Sequence, residues 1–142
     1  MSHTSPPPPR LQSEFKELAL VAGGAIPGAL LRWQLEGAAT AWVGGLKGLI
    51  EGDFSANMLG CLLLGLLLGR PRPRARLMLW AGIGLCGSLT TFSSWMLELV
   101  RALDRGDASG SLLVLFTSLL AGLALMALGQ WLGRQLDRQS MS

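Results

Sequence analysis

Polar groups that could bind an ion are concentrated in one otherwise apolar segment. The run GLCGSLTTFSSW, residues 84–95, places glycines and the hydroxyl groups of serine and threonine inside a stretch long enough to cross a bilayer. Such residues weaken a continuous helix, and a helix broken at membrane depth exposes carbonyl and amide groups. These groups are tolerated there only where they meet protein, water or an ion. The run therefore predicts a helix break with an ion site, and a packing face of small residues is the alternative.

Further polar and aromatic side chains accompany this segment. Asn57 stands in an apolar stretch, where its amide offers two donors and one acceptor for either an interhelical contact or a pore. Phe92 and Trp95 lie one helical turn apart, and their positive ring edges could hold a small anion, although aromatic residues in spans commonly face lipid. Ser118 is a hydroxyl among leucines, which could line a path or bond to its own helix.

The composition excludes most enzymatic chemistry and favours a membrane protein. Half of the 142 residues are hydrophobic and only 15% are charged, against about 25% in soluble domains. His3 is the single histidine, so charge-relay and histidine-ligated metal chemistry are nearly excluded, and two cysteines in apolar runs do not make a disulfide scaffold. The net charge of +3 comes from arginines that flank apolar segments, which favours a membrane over nucleic acid as the partner.

Four apolar stretches must position these side chains. They span residues 18–35, 54–69, 77–100 and 111–132. A bilayer core of about 30 Å needs about 20 helical residues, so the pattern predicts an all-α integral membrane protein with four transmembrane helices and a break in the third. This membrane domain covers residues 18–133. A disordered, proline-rich cytoplasmic tail is expected at 1–17 and a polar tail at 134–142. A soluble helical bundle is disfavoured because the fourth stretch has no charged face.

Three motifs resemble the CrcB/Fluc family of fluoride channels. They are GGAIPGALLRW at 23–33, GDFSANMLGCLLLG at 52–65 and GLCGSLTTFSSW at 84–95, and the third is the specific one. The resemblance extends over about residues 18–133. It implies an antiparallel dimer of four-helix subunits with two narrow fluoride paths and a central sodium ion.

The resemblance also assigns expected roles to single residues. It places Asn57, Thr91, Phe92, Trp95 and Ser118 along the fluoride path, the backbone carbonyls of Gly87 and Thr90 on structural sodium, and Arg32 as a structural residue of the first helix. The sequence departs from the family pattern at three positions. Trp95 replaces a second phenylalanine, Val114 stands where a tyrosine is common, and Asp53 stands where threonine is usual.

The function implied is passive export of fluoride across the cell inner membrane by a multi-pass channel subunit. Fluoride is small and strongly hydrated, so its passage requires neutral donors that replace water and still release the ion. Two alternatives remain: a small four-helix transporter and a packing scaffold without channel activity. The first would need an acidic residue in its first span, and LALVAGGAIPGALLRW has none.

Loop charges bear on whether the partner is an identical chain or a related one. With four spans, eight basic residues fall on the side of the termini and three on the other side. The first group comprises Arg10, Lys16, Arg70, Arg72, Arg74, Arg76, Arg134 and Arg138, and the second comprises Lys47, Arg101 and Arg105. Because cytoplasmic loops carry the excess of positive charge, this bias predicts one fixed orientation and pairing with an oppositely oriented relative. An antiparallel homodimer is the alternative.

Reporter tags on the two ends of the chain test this orientation. Both tags should report only the cytoplasmic face, because the eight-to-three charge bias disfavours the inverted insertion. Detection of the same terminus on both faces of the membrane would overturn the fixed orientation and favour a homodimer.

Overall fold

The computed structural model describes residues 11–42, 52–71, 74–106 and 108–139, and these residues contain helices and no strand. The helices are α1 (Leu11–Trp42), α2 (Gly52–Leu68), α3 (Ala75–Leu89), α4 (Ser93–Asp104) and α5 (Ala108–Gln139). The all-α class predicted from the sequence is confirmed. The break predicted in the third apolar stretch is also present, since α3 ends at Leu89 and α4 begins at Ser93.

The first helix begins earlier than predicted. Residues 11–17 are helical, so the expectation of a disordered tail over 1–17 is wrong for that part, and residues 1–10 lie outside the described residues. The segment LQSEFKE contains neither glycine nor proline, and Glu14 in the first turn favours the positive end of the helix dipole. At the other end α5 continues to Gln139, so most of the polar tail over 134–142 is helical as well.

Glycines bring α2 and α5 into close contact. A methyl group added to Gly65 would collide with the main-chain carbonyl of Met126, and one added to Gly69 would collide with that of Gln130. Gly129 on α5 faces the carbonyl of Leu62 in the same way. The spacing of Gly65 and Gly69 is thus a packing motif of the kind that lets membrane helices approach backbone to backbone.

A second set of glycines packs α1 against α3. Gly24 lies against the carbonyl of Trp80, and Gly84 of α3 lies against α1 at Val21. One turn further along the interface, the hydroxyl of Ser88 donates to the carbonyl of Ala25, with an O···O distance of 2.9 Å. Because side chains are absent at the crossing point, the two main chains touch and Ser88 fixes their register.

Most of α3 is π-helical. The π-helical stretch is Met78–Cys86, flanked by one α-helical turn at each end. Its buried positions Ala81, Gly82, Gly84 and Cys86 are small, so the wider π geometry is accommodated between α1 and α2. π-helical stretches occur frequently at functional sites, and this one leads directly into the helix break.

The outer surface is apolar, and the interior holds few large side chains. Leu120, Leu123 and Ile26 are each about two-thirds exposed, and Leu89 is the large side chain that is fully buried. Within the described ranges two helices, Leu11–Gly37 and Ala108–Arg138, are long and apolar enough to cross a membrane, and two shorter apolar helices cover Asp53–Leu68 and Ala75–Leu89.

Substitution of Gly65 by alanine tests the α2–α5 contact. The added methyl group would force the two main chains apart, and we expect a loss of about 1–3 kcal/mol in the free energy of unfolding. Gly37→Ala is the matched control, because nothing lies within 4 Å of its added methyl group. Thermal unfolding of the detergent-solubilised protein measures the stability of both variants. Equal stability of the two variants would contradict the packing described.

Candidate ion site at the helix break

The chain leaves the helix at Thr90, whose backbone is extended with φ of −81° and ψ of 146°. The N–H and the hydroxyl of Thr90 both donate to the carbonyl of Cys86, each at 3.0 Å. A threonine hydroxyl that bonds to the carbonyl four residues earlier competes with the backbone hydrogen bonds of the helix. The extended conformation at Thr90 therefore ends α3 and turns the following residues toward α2.

Asn57 of α2 clamps the broken segment with two hydrogen bonds. Its Nδ2 donates to the carbonyl of Thr91 at 2.9 Å, and its Oδ1 accepts the N–H of Thr91 at 2.7 Å. One amide side chain thus satisfies both backbone groups of a residue that has left the helix. An unsatisfied backbone group in an apolar environment costs several kcal/mol. Asn57 therefore makes an interhelical contact, and its role in a pore stays a prediction.

The clamp has a consequence for the end of α3. In a continuing helix the N–H of Thr91 would bond to the carbonyl of Gly87, four residues earlier. Because Thr91 donates to Asn57 instead, the Gly87 carbonyl loses its helical donor. Gly87 is exposed, and nothing lies within 4 Å of where a side chain would begin. The end of α3 thus offers an accessible main-chain oxygen.

Hydroxyl groups surround the start of α4. The Oγ1 of Thr91 lies 3.4 Å from the Oγ atoms of both Ser93 and Ser94. Phe92 precedes the first turn, accepts the N–H of Met96 on its carbonyl, and has 71% of its surface exposed. The positive end of the α4 dipole therefore lies among polar groups and beside an exposed aromatic ring.

A cavity of about 440 Å³ adjoins the break and collects most of the residues singled out from the sequence. Those that line it are Asn57, Gly87, Thr90, Thr91, Phe92 and Ser118. The remaining walls are glycine and apolar residues of α2, α3 and α5, and none of the lining residues carries a charge. Residues of three helices and of the break itself thus converge on one uncharged cavity.

Two of the predicted site residues, Arg32 and Trp95, are not among the described lining of the cavity. Arg32 is absent from the cavity lining and lies on α1, where its Nε is 3.4 Å from Oε1 of Glu36. The backbone of Trp95 belongs to α4, but its side chain lies outside the described residues. The structure therefore brings together the predicted residues on α2, α3 and α5 and leaves Arg32 apart.

One polar contact near the site was missed by the sequence analysis. Asp53, in the first turn of α2 and one turn before Asn57, is only 8% exposed and lies near Glu36 of α1. Oδ1 of Asp53 has no hydrogen-bond partner among the described atoms. Arg32, Glu36 and Asp53 thus form a chain from α1 to the start of α2, which the spacing in sequence does not reveal.

Comparison with known proteins agrees with this architecture. Residues 19–130 match the family model described as CrcB-like protein, Camphor Resistance (CrcB). The chain belongs to the CrcB family. The family is one of membrane proteins, and the apolar outer surface of the described helices agrees with this.

Relatives in this family carry names that refer to fluoride. The chain is 49% identical over 127 residues to the fluoride-specific ion channel FluC 2 of Parasynechococcus marenigrum, covering 89% of this chain and 87% of the relative. It is 44% identical to FluC 1 of Thermobifida fusca, and the aligned region covers 78% of this chain and 89% of the relative. It is 38% identical to FluC of a Pseudomonas putida strain, and the aligned region covers 85% of this chain and 96% of the relative. The similarity thus extends over nearly the whole of each protein.

Replacement of Asn57 by alanine tests the clamp. Both backbone groups of Thr91 would lose their partner, and we expect the free energy of unfolding to fall by about 2–4 kcal/mol. Ser118→Ala, in the same cavity, is the control and should cost less than half as much. Thermal unfolding in detergent measures both, and a loss at Asn57 no larger than at Ser118 would refute the clamp.

Proposed function

We propose that this chain is a subunit of a fluoride-specific ion channel that exports fluoride passively and so relieves its toxicity. The observation that carries the proposal is the convergence of Asn57, Thr91, Phe92 and Ser118 on one uncharged cavity at a helix break. The names of the relatives, all fluoride-specific ion channels, support the same ion. Since those relatives are channels, the expectation that the chain is not an enzyme agrees with them.

The orientation of the Asn57 amide suits a small anion. Its NH₂ group has two hydrogens, and one of them is used in the bond to the Thr91 carbonyl. The clamp fixes the plane of the amide, so the second hydrogen is held in place without loss of further side-chain entropy. A neutral donor of this kind replaces water around fluoride but does not trap it as a fixed positive charge would.

The aromatic and hydroxyl groups complete the proposed path. The ring of Phe92 at the rim can turn its positive edge toward an anion. Ser118 on α5 and Thr91 at the break add hydroxyl donors on different walls of the cavity. We include Trp95 in the path on the strength of its position in the motif. Val114, half-buried on α5, contributes no polar group where relatives of the family commonly have a tyrosine.

A structural sodium ion is part of the proposal. The donor set fits, because the clamp deprives the Gly87 carbonyl of its helical partner and Thr90 is extended beside it. Carbonyl oxygens at an unwound helix end are suitable ligands for sodium. The ion would supply positive potential near the anion path, and Gly87 and Thr90 would hold it through their main-chain oxygens.

The proposed assembly is an antiparallel dimer in the cell inner membrane. We propose four spans: α1, α2, α3 together with α4, and α5. The 17 residues of α2 extend about 26 Å, slightly less than the hydrocarbon core. The cavity lies at the surface of a single chain, where a second subunit could close it. The eight-to-three charge bias and the numbering of relatives as FluC 1 and FluC 2 support a related, oppositely oriented partner over an identical one.

Fluoride efflux from liposomes that contain the chain together with a paired FluC 1 protein tests the proposal. A fluoride electrode should record loss at least tenfold faster than from empty liposomes, while chloride efflux remains at the background rate. Equal loss of both anions would refute fluoride selectivity, since the neutral donors are expected to serve the smaller ion.

The same assay separates the two forms of the dimer. If the chain works only with a relative, it should be silent alone and conduct when reconstituted with a paired FluC 1 protein. Activity of the chain alone would establish a homodimer. Silence of the folded chain in both cases would favour a packing scaffold.

A further inference from the structure

Four sulfur-containing residues from three helices line the cavity. Met58 and Cys61 lie on α2, Cys86 on α3 and Met126 on α5, and all four line the same space. Both cysteines are free thiols, the first half-buried and the second only 2% exposed. None of these residues has a part in the proposed fluoride path or sodium site.

The positions of these side chains are fixed by close helix contacts. A methyl group added to Gly122 of α5 would lie 3.4 Å from the Sγ of Cys61 and 3.6 Å from the Cε of Met58. The ends of both side chains therefore pack against this glycine. A methyl group added to Gly60, the residue next to Cys61, would lie 3.9 Å from the carbonyl oxygen of Cys86.

We propose that Met58, Cys61, Cys86 and Met126 form a binding site for a soft monovalent cation of the Cu(I) and Ag(I) class. Thiolate and thioether sulfur atoms select such ions, whereas hard cations prefer oxygen. The site is therefore chemically distinct from the main-chain oxygens of Gly87, which suit sodium.

The uncharged cavity also fits a monovalent ion better than a divalent one. One thiol gives up its proton when it binds the metal, and a single thiolate neutralises a single positive charge. The resulting pair carries no net charge, so no ion is left uncompensated among the apolar walls. A divalent ion would need both thiolates, and no lining residue is a cation that could assist their ionisation.

Competition with bicinchoninate measures the proposed site. The purified full chain in detergent, reduced beforehand, is titrated into the coloured Cu(I)–bicinchoninate complex, and loss of colour reports transfer of copper. The chain should withdraw close to one Cu(I) per subunit. X-ray absorption of the loaded protein should show sulfur atoms as the copper ligands, and oxygen or nitrogen ligands would overturn the proposal.

Variants identify the residues that bind. The double variant Cys61→Ala/Cys86→Ala should withdraw no more copper than a protein-free sample, and Met58→Leu/Met126→Leu should weaken binding at least tenfold. The methionine variant keeps both thiols and nearly the same side-chain volume, so it is expected to fold. It therefore tests Cu(I) binding at this site even if the cysteine variant fails to fold. Met96→Leu, on α4 and outside the cavity lining, is the control and should bind as the original chain does. Unchanged affinity in the methionine variant would overturn the site.

Discussion

The structure depends on the pair of hydrogen bonds that join the Asn57 amide to the backbone of Thr91. A helix that breaks among apolar neighbours leaves main-chain groups without partners, and few side chains can satisfy a donor and an acceptor of one residue together. Asn57 does so at 2.9 Å and 2.7 Å. A methyl group added to Gly60 of α2 would collide with the side chain of Thr90, so this glycine allows α2 to pack closely against the break. The break is thus part of the packed structure and not a local defect.

The two helix ends at the break favour ions of opposite charge, and the clamp keeps them apart. It separates the carboxyl end of α3, where the Gly87 carbonyl has lost its donor, from the amino end of α4, which begins at Ser93. The first end favours a cation and the second an anion, because the helix dipoles end there. A single broken helix can therefore serve both the proposed sodium ion and the proposed fluoride path without any charged side chain in the cavity. This neutrality is the physical basis of the proposal that fluoride binds and is released.

Sequence reasoning predicted the features that have a local cause. Glycines and hydroxyl residues over 84–95 weaken a helix wherever they occur, and the break lies among them. What Asn57 contacts was open, because its partner is 34 residues away. The contact of Asp53 with Glu36 and the four sulfur atoms were not foreseen, since both require the register between helices. The start of α1 was placed too late because the prolines that precede Leu11 suggested a longer tail.

The measurement that tests the account most directly is fluoride efflux carried by Asn57→Asp, compared with the original chain in the reconstitution in which the original chain conducts. Aspartate retains an acceptor for the Thr91 N–H, but it lacks the NH₂ group and brings a carboxyl group into the path. The account predicts that the variant still elutes as the original protein does and that its fluoride efflux falls at least tenfold. Efflux equal to that of the original chain would show that fluoride does not pass the Asn57 amide, and it would contradict the central claim.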